Sequence, residues 1–404
     1  MTRPARSASR RPQPRPHVRA GCAACCLLCA VVFVGCSVLW PIGPRVPEGP
    51  PHARETLDDG YEDYTGVIHV HTVYSHDADG TLAEVAQVAN AQGPHYVITK
   101  EHNNLRSLRE GNQGWHGMTL ILVGEEISTR DGHCLALNVH EEISRNQPTQ
   151  AILDEIARQG GLSFLAHPSF KKRPWKNWSV HGFTGIEGYN TVHDAFDENW
   201  LRVALWGLTV PPHPLYLSFV DRPDEPLARW DALIREHGRV VGIGSSDAHE
   251  LHLLGVKIAP YDVTFKVVRT HLLLPAGTPM SAPAVYDALR AGHAYFAIDL
   301  LADARGFTFM ADDDQRVLGV MGDEVKLTDP MQLTVILPQS AHLALFKDGN
   351  VAATSVGRVW HIRVKEPGSY RVEISRNGTP WIFSNPIYIR APSEAPSQTV
   401  GSQQ

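Results

Sequence analysis

The chain is 404 residues long, 43% hydrophobic and 20% charged, with a formal net charge of -6. That is the make-up of an ordinary globular protein with room for two domains, and an acidic balance without an extended basic surface argues against specific nucleic-acid binding. Histidine is abundant at 21 residues, and several stand at the ends of apolar runs, a placement that suggests metal.

Residues 1–19 form a basic arm (Arg3, Arg6, Arg10, Arg11, Arg15, Arg19), and residues 20–40 are apolar without a charge. About 20 residues of helix cross a bilayer, so this segment is expected to anchor the chain in a membrane, arginine side in the cytoplasm and the remainder on the periplasmic side. Two alternatives stand beside the anchor: a cleaved secretory signal, and a lipoprotein signal with Phe33-Val34-Gly35-Cys36 as its lipidation box. Five of the six cysteines (Cys22, Cys25, Cys26, Cys29, Cys36) lie in or beside this segment, which leaves Cys134 alone and predicts no internal disulfide. Residues 41–64, rich in Pro, Gly and acidic side chains, read as a linker.

Val67, Ile68 and Val70 have the character of a buried strand, and strand alternation predicts that His69 and His71 emerge on one face. His76 and Asp77 follow at once, a donor set suited to a divalent metal. A helix over Leu82–Gln92 stops at Gly93-Pro94, and the next apolar run ends in Lys100-Glu101-His102-Asn103. The pattern repeats. Residues 120–123 end in Gly124-Glu125-Glu126, a further run follows His133, and a helix over Thr149–Arg158 leads to a strand ending at His167-Pro168. Residues 185–189 are a further strand, and a helix over 227–237 leads to a run ending in Ser246-Asp247-Ala248-His249. Alternating strands and helices predict a parallel sheet, and polar residues at the strand ends are where a barrel places its chemistry. No Gly-rich phosphate loop supports an open doubly wound sheet.

These residues resemble the polymerase and histidinol phosphatase (PHP) superfamily of metal-dependent phosphoesterases. The resemblance rests on His69-Val70-His71 with Ser75-His76-Asp77, on Glu101-His102-Asn103, on His167-Pro168 and on Ser246-Asp247-Ala248-His249. Gly124-Glu125-Glu126-Ile127-Ser128 and Gly132-His133 resemble two further ligand segments. It implies an α/β domain over residues 65–300, a distorted seven-stranded (β/α) barrel holding two or three divalent ions, Mn, Zn or Fe. It also implies metal ligands at His69, His71, Asp77, His102, Glu126, His133, His167, Asp247 and His249. Either His76 or Asp77 can complete the first motif, and Asp77 is taken here. Glu126 would bridge the ions, and Asp247 and His249 would join it in catalysis, a phosphate ester being hydrolysed by a metal-bridged hydroxide. A small phosphorylated substrate needs cations, for which Lys171, Lys172 and Arg173 are candidates, with Lys100 a second choice. Residues 194–226, rich in Trp and Pro, read as an insertion over the mouth. The rival readings are an amidohydrolase-type metal hydrolase and a catalytically silent metal-binding envelope protein.

From about residue 307 the pattern changes to short strands, with Asp348-Gly349 and Asn377-Gly378 suited to tight hairpins. Residues 305–391 are expected to form a small all-β, immunoglobulin-like sandwich whose partner is unknown, and residues 392–404 a disordered tail.

Overall fold

The computed structural model describes residues 58–192, 210–253 and 256–392. The basic arm, the apolar segment 20–40, most of the linker, residues 194–209 of the insertion and the tail from 393 lie outside the described residues. Among the described residues no helix is long and apolar enough to cross a membrane.

The first strand, β1 (Tyr61–Val70), begins inside the stretch expected to be a linker, because Tyr61, Glu62, Asp63 and Tyr64 pair antiparallel with β11 (Arg269–Pro275). The acidic residues that suggest a tether have partners far along the chain. Asp63 Oδ1 lies 2.9 Å from His271 Nδ1, and its Oδ2 accepts from the Tyr295 hydroxyl at 2.6 Å.

Strand β1 runs parallel to β2 (Tyr96–His102), and β2 runs parallel to β4 (Thr119–Ser128), which a short β3 (Gly114–His116) edges. The expected all-parallel order breaks at β5 (His133–Leu137), which is antiparallel to both β4 and β6 (Leu162–Ala166). A four-residue turn joins β4 to β5, too short for the crossover that a parallel pair needs. Parallel order resumes through β7 (Gly185–Asn190) and β8 (Val241–Ser245). The backbone leaving β8 then bonds back to β1: Ser246 N donates to Ile68 O at 2.9 Å, and His71 N to Ala248 O at 2.9 Å. The result is a mixed α/β, sheet-rich fold.

Helices cover this sheet between strands. Helix α1 (Leu82–Gln92) starts at a reciprocal capping box between Thr81 and Glu84 and ends at Gly93, whose φ of 76° is the left-handed stop that the sequence suggests. Helices α2 (Arg106–Arg109), α3 (Thr149–Arg158), α4 (Pro212–Leu217), α5 (Asp224–His237), α6 (Tyr261–Val267) and α7 (Ala282–Ala291) follow. Helix α3 buries Ile152, Leu153 and Ile156, one helical face, against the sheet.

The C-terminal strands are continuous with this sheet. Strand β12 (Ala294–Ala297) pairs with β11 on one side and with β19 (Thr379–Ser384) on the other, and Phe296 stacks on Phe383 with ring centroids 4.9 Å apart. A short pair, β9 (Leu251–Leu253) and β10 (Val256–Ile258), precedes α6. The rest of the β-rich part is β13 (Thr308–Asp312), β14 (Val317–Val320), β15 (Glu324–Lys326), β16 (Gln332–Lys347), β17 (Asn350–Arg363), β18 (Gly368–Arg376) and β20 (Ile387–Arg390). Both expected hairpins are present, with positive φ at Asp348, Gly349, Asn377 and Gly378, as tight two-residue turns require. The Asn385 amide bonds the backbone of Gly242 in both directions, at 2.8 and 2.9 Å, and also donates to Ala294 O.

His271 illustrates how distant segments are tied. It is buried between Asp63 and Asp299 and stacks on Tyr295 at 4.3 Å. Burial alone would lower its pKa, but the two carboxylates overcome that and push it up to about 10. A folded pKa above the usual imidazole value of about 6.5 gives stability that is complete below that pH and lost as pH rises toward 10. Urea unfolding followed from pH 7 to pH 10 is therefore expected to show a loss on the order of 3 kcal/mol, and His271→Asn should flatten that slope.

Candidate metal centre

The centre begins where β1 stops being regular. His69 has a left-handed φ of 67°, and the β1 to β2 register shifts between Ile68 and Val70. The two histidines thus converge through a bulge and the residue beyond the strand, where simple alternation was expected. Their Nε2 atoms lie 3.0 Å apart, and both side chains are fully buried. His167 and Asp247, each just past a strand end, also have positive φ, at 28° and 53°. Such conformations cost on the order of 1–3 kcal/mol each and cluster where a site dictates direction.

Glu126, near the end of β4, stands at the middle. Its Oε1 is 2.6 Å from His133 Nδ1 and 3.1 Å from His167 Nε2. Its Oε2 is 3.2 Å from both His71 Nε2 and His102 Nδ1, and 3.4 Å from His69 Nε2. His102 is the β2 residue in register with Glu126, while His133 reaches the same mouth because it heads a strand that runs the other way. Asp247 Oδ1 lies 3.2 Å from His69 Nε2 and 3.4 Å from His71 Nε2. Asp77 Oδ2 is 3.1 Å from His102 Nε2 and 3.8 Å from His249 Nε2. His76 points outward, 78% exposed, so Asp77 is the residue of this pair that joins the cluster.

Among the described residues, three donor groups have ligand atoms within 4.8 Å of one another: His71, Asp77, His102 and His249; His69, His71 and Asp247; His102, Glu126 and His133. His167 meets the cluster through Glu126. The donor set fits divalent cations. Glu126 Oε2 and His102 Nδ1 are buried without a hydrogen-bond partner, although polar atoms surround them. Imidazole nitrogen with carboxylate oxygen is the borderline chemistry that Zn, Mn and Fe accept.

Hydrogen bonds at the rear of three imidazoles set their direction. His69 Nδ1 meets Glu187 Oε1 at 2.6 Å, His71 Nδ1 meets Ser75 Oγ at 2.9 Å, and His249 Nδ1 meets the Asp247 carbonyl at 2.7 Å. The Ser75 hydroxyl itself donates to Glu101 at 2.8 Å, which leaves its oxygen to accept from His71. Each Nδ1 then carries a proton, which directs each Nε2 toward the centre as the nitrogen that a cation would meet.

The field at the centre is negative. Burial would lower His69, yet the charges of Asp247, Glu187 and Glu126 hold it well above the ordinary imidazole value. His71 is likewise pushed up to about 9, against burial, by Asp247 and Glu126. Burial would raise Asp77, but hydrogen bonding to His102 and the nearby imidazoles draw it down to about 2. Burial and the charge on His71 lower His249 to about 4.

Glu187 escaped the sequence reading. It sits within β7 in Gly-Ile-Glu-Gly-Tyr, fully buried, and its Oε2 also accepts from His167 N at 2.7 Å and from Asn190 Nδ2 at 3.0 Å. A lone carboxylate between glycines in an apolar run was the available signal. Because it orients His69, Glu187→Gln is expected to weaken metal binding and turnover by about 10- to 100-fold, read by metal titration and steady-state rates.

The expected cations fare differently. Lys100 is wholly buried beneath the centre, its Nζ without a hydrogen-bond partner, and burial lowers it to about 7; it cannot meet a substrate at the mouth. Lys100 and His102 share one face of β2, so the lysine points inward below His102. Lys171 and Lys172 are exposed. Arg173 reaches the centre's edge, with Nη1 2.5 Å from His133 Nε2.

No family model matches the chain. An uncharacterized protein of Methanocaldococcus jannaschii is 26% identical over 112 residues, a stretch that covers 25% of this chain and 66% of that protein. Among solved structures, a two-domain protein from Bacteroides vulgatus containing a predicted PHP-like metal-dependent phosphoesterase shares 14% identity at a TM-score of 0.42, covering 83% of this chain and 100% of its own. An amidohydrolase from Chromobacterium violaceum, with bound sulfate and no metal, shares 13% identity at a TM-score of 0.29, covering 46% of this chain and 87% of its own.

Proposed function

We propose that the chain is a metal-dependent phosphoesterase whose catalytic part is a distorted seven-stranded barrel of β1, β2, β4, β5, β6, β7 and β8. The observation that carries this reading is the set of three imidazoles whose Nδ1 atoms are tied at the rear while their Nε2 atoms face Glu126, Asp247 and Asp77. His69, His71, Asp77, His102, Glu126, His133, His167, Asp247 and His249 would hold two or three divalent ions. When bound, such ions lower the pKa of a coordinated water and offset charge that develops on a phosphoryl oxygen.

The remaining work belongs to the chain. Glu126, touching imidazoles from β1, β2, β5 and the end of β6, fixes the spacing of the donors. Glu187 and Glu101 hold His69 and His71 in their outward-tied tautomers. His249, its Nδ1 held by the Asp247 carbonyl, turns its Nε2 toward Asp77 as a donor for the ions, which sets this Asp-x-His pair at the mouth. Arg173, beside His133, offers a fixed positive charge to the phosphoryl group. The apolar segment 20–40 would tether this hydrolase to a membrane with its catalytic part on the periplasmic side.

Metal-loaded protein is expected to turn over a generic aryl phosphate, and His69→Ala to abolish that turnover. Hydrolysis of amides alone would favour the amidohydrolase reading, and no turnover of either class would favour the silent metal-binding one.

A further inference from the structure

A cavity of about 390 Å³ opens beside the metal centre, lined among others by Arg130, Arg145, Arg173 and Lys176. It adjoins the cluster: Arg173, in its wall, has Nη1 2.5 Å from His133 Nε2, and Asn103, Ser128 and Gly132 lie one or two residues from His102, Glu126 and His133. Among the described residues no Asp or Glu lines it. Other arginines pair with carboxylates, as Arg158 with Glu155, Arg222 with Glu373 and Arg390 with Glu324, or bond backbone carbonyls, as Arg235, Arg239, Arg290 and Arg358 do. The side chains of Arg130, Arg145 and Lys176 make no ion pair or hydrogen bond among the described residues, and the nearby Asp131 is turned to the Thr149 hydroxyl at 2.5 Å. Cations left together without counter-charge repel one another, and an anion relieves that cost.

The wall is held in place. Trp175, buried between Arg173 and Lys176, packs on Gly132, where a Cβ would come within 2.5 Å of the indole. Trp175 N donates to Pro168 O and Lys176 N to Asp131 O, both at 2.8 Å, which fastens the loop after β6 to the turn between β4 and β5. The backbones of the two segments that carry Arg130, Arg173 and Lys176 are therefore fixed about one space before a ligand arrives, and Arg145 joins them from a third.

We propose that this cavity receives a second anionic group of the substrate, a phosphate or a carboxylate, so that the preferred substrate is a phosphate ester whose alcohol portion carries another negative charge. This inference rests on the phosphoesterase reading and specifies its substrate class. The scissile phosphate would lie at the metal centre with Arg173 at the boundary, and the remote anion among Arg130, Arg145 and Lys176.

The test compares metal-loaded wild type with a variant carrying Arg130→Ala, Arg145→Ala and Lys176→Ala. The substrates are glycerol 1-phosphate, 3-phosphoglycerate and propane-1,3-diol bisphosphate. In the wild type kcat/KM should favour one of the two substrates with a second anion by at least about 30-fold, and the variant should lose that preference. Equal rates in the wild type, or a preference that survives in the variant, would overturn the proposal. If no ester is hydrolysed the phosphoesterase reading fails by itself, and the cavity is judged by titrating inorganic phosphate into chelator-treated protein. Binding weakened at least about tenfold in the variant supports an anion site, and absence of binding overturns it.

Discussion

Glu126→Gln is expected to lower phosphate-ester turnover by at least about 1,000-fold, or roughly 4 kcal/mol of barrier, and to leave the purified protein short of metal. Among the described residues this carboxylate lies within 3.4 Å of nitrogens on five imidazoles, those of His69, His71, His102, His133 and His167. The amide has the same shape but offers one acceptor and a neutral charge, so it can neither bridge two cations nor balance them. Elemental analysis beside kcat checks both effects. A folded variant that keeps full metal and full rate would remove Glu126 from the centre of the scheme.

The second large effect concerns stability. Arg371 is buried where the C-terminal strands meet α5, and it grips Asp231 with two bonds of 2.7 and 2.8 Å and Glu373 with one of 2.6 Å. Its guanidinium also lies 4.4 Å from the Phe346 ring centroid. Arg371→Leu would strand the Asp231 carboxylate in a site closed to water, and a loss of about 3–5 kcal/mol is expected in urea unfolding. Adding Asp231→Asn removes the stranded charge and should return part of the loss. A single substitution that leaves the midpoint unmoved would mean that the salt-bridged contact contributes nothing net.

The centre was largely legible because its donors sit where strands end, and strand ends can be read from apolar runs. His69, His102, Glu126, His167 and Asp247 all belong to that class. The direction of β5 was not legible, since an apolar run looks the same whichever way it travels. Glu187 was missed for a related reason: its partner His69 is 118 positions away, and nothing local marks the pairing. The same holds for Asp63, which resembles linker until His271, 208 positions on, is placed beside it. The tight turns at Asp348-Gly349 and Asn377-Gly378 were visible because their chemistry is local. The attachment of the β-rich part to β12 depends on distant backbone pairing and was not visible.

That attachment has a mechanical side. With β19 laddered to β12 and Asn385 clasping Gly242, the two parts are joined by backbone pairing as well as by the connecting chain. A load applied near residue 390 would pass through these strands into β8, the strand that carries Asp247 to the mouth. Any displacement of the β-rich part is therefore passed to the strand that ends beside the candidate metal centre.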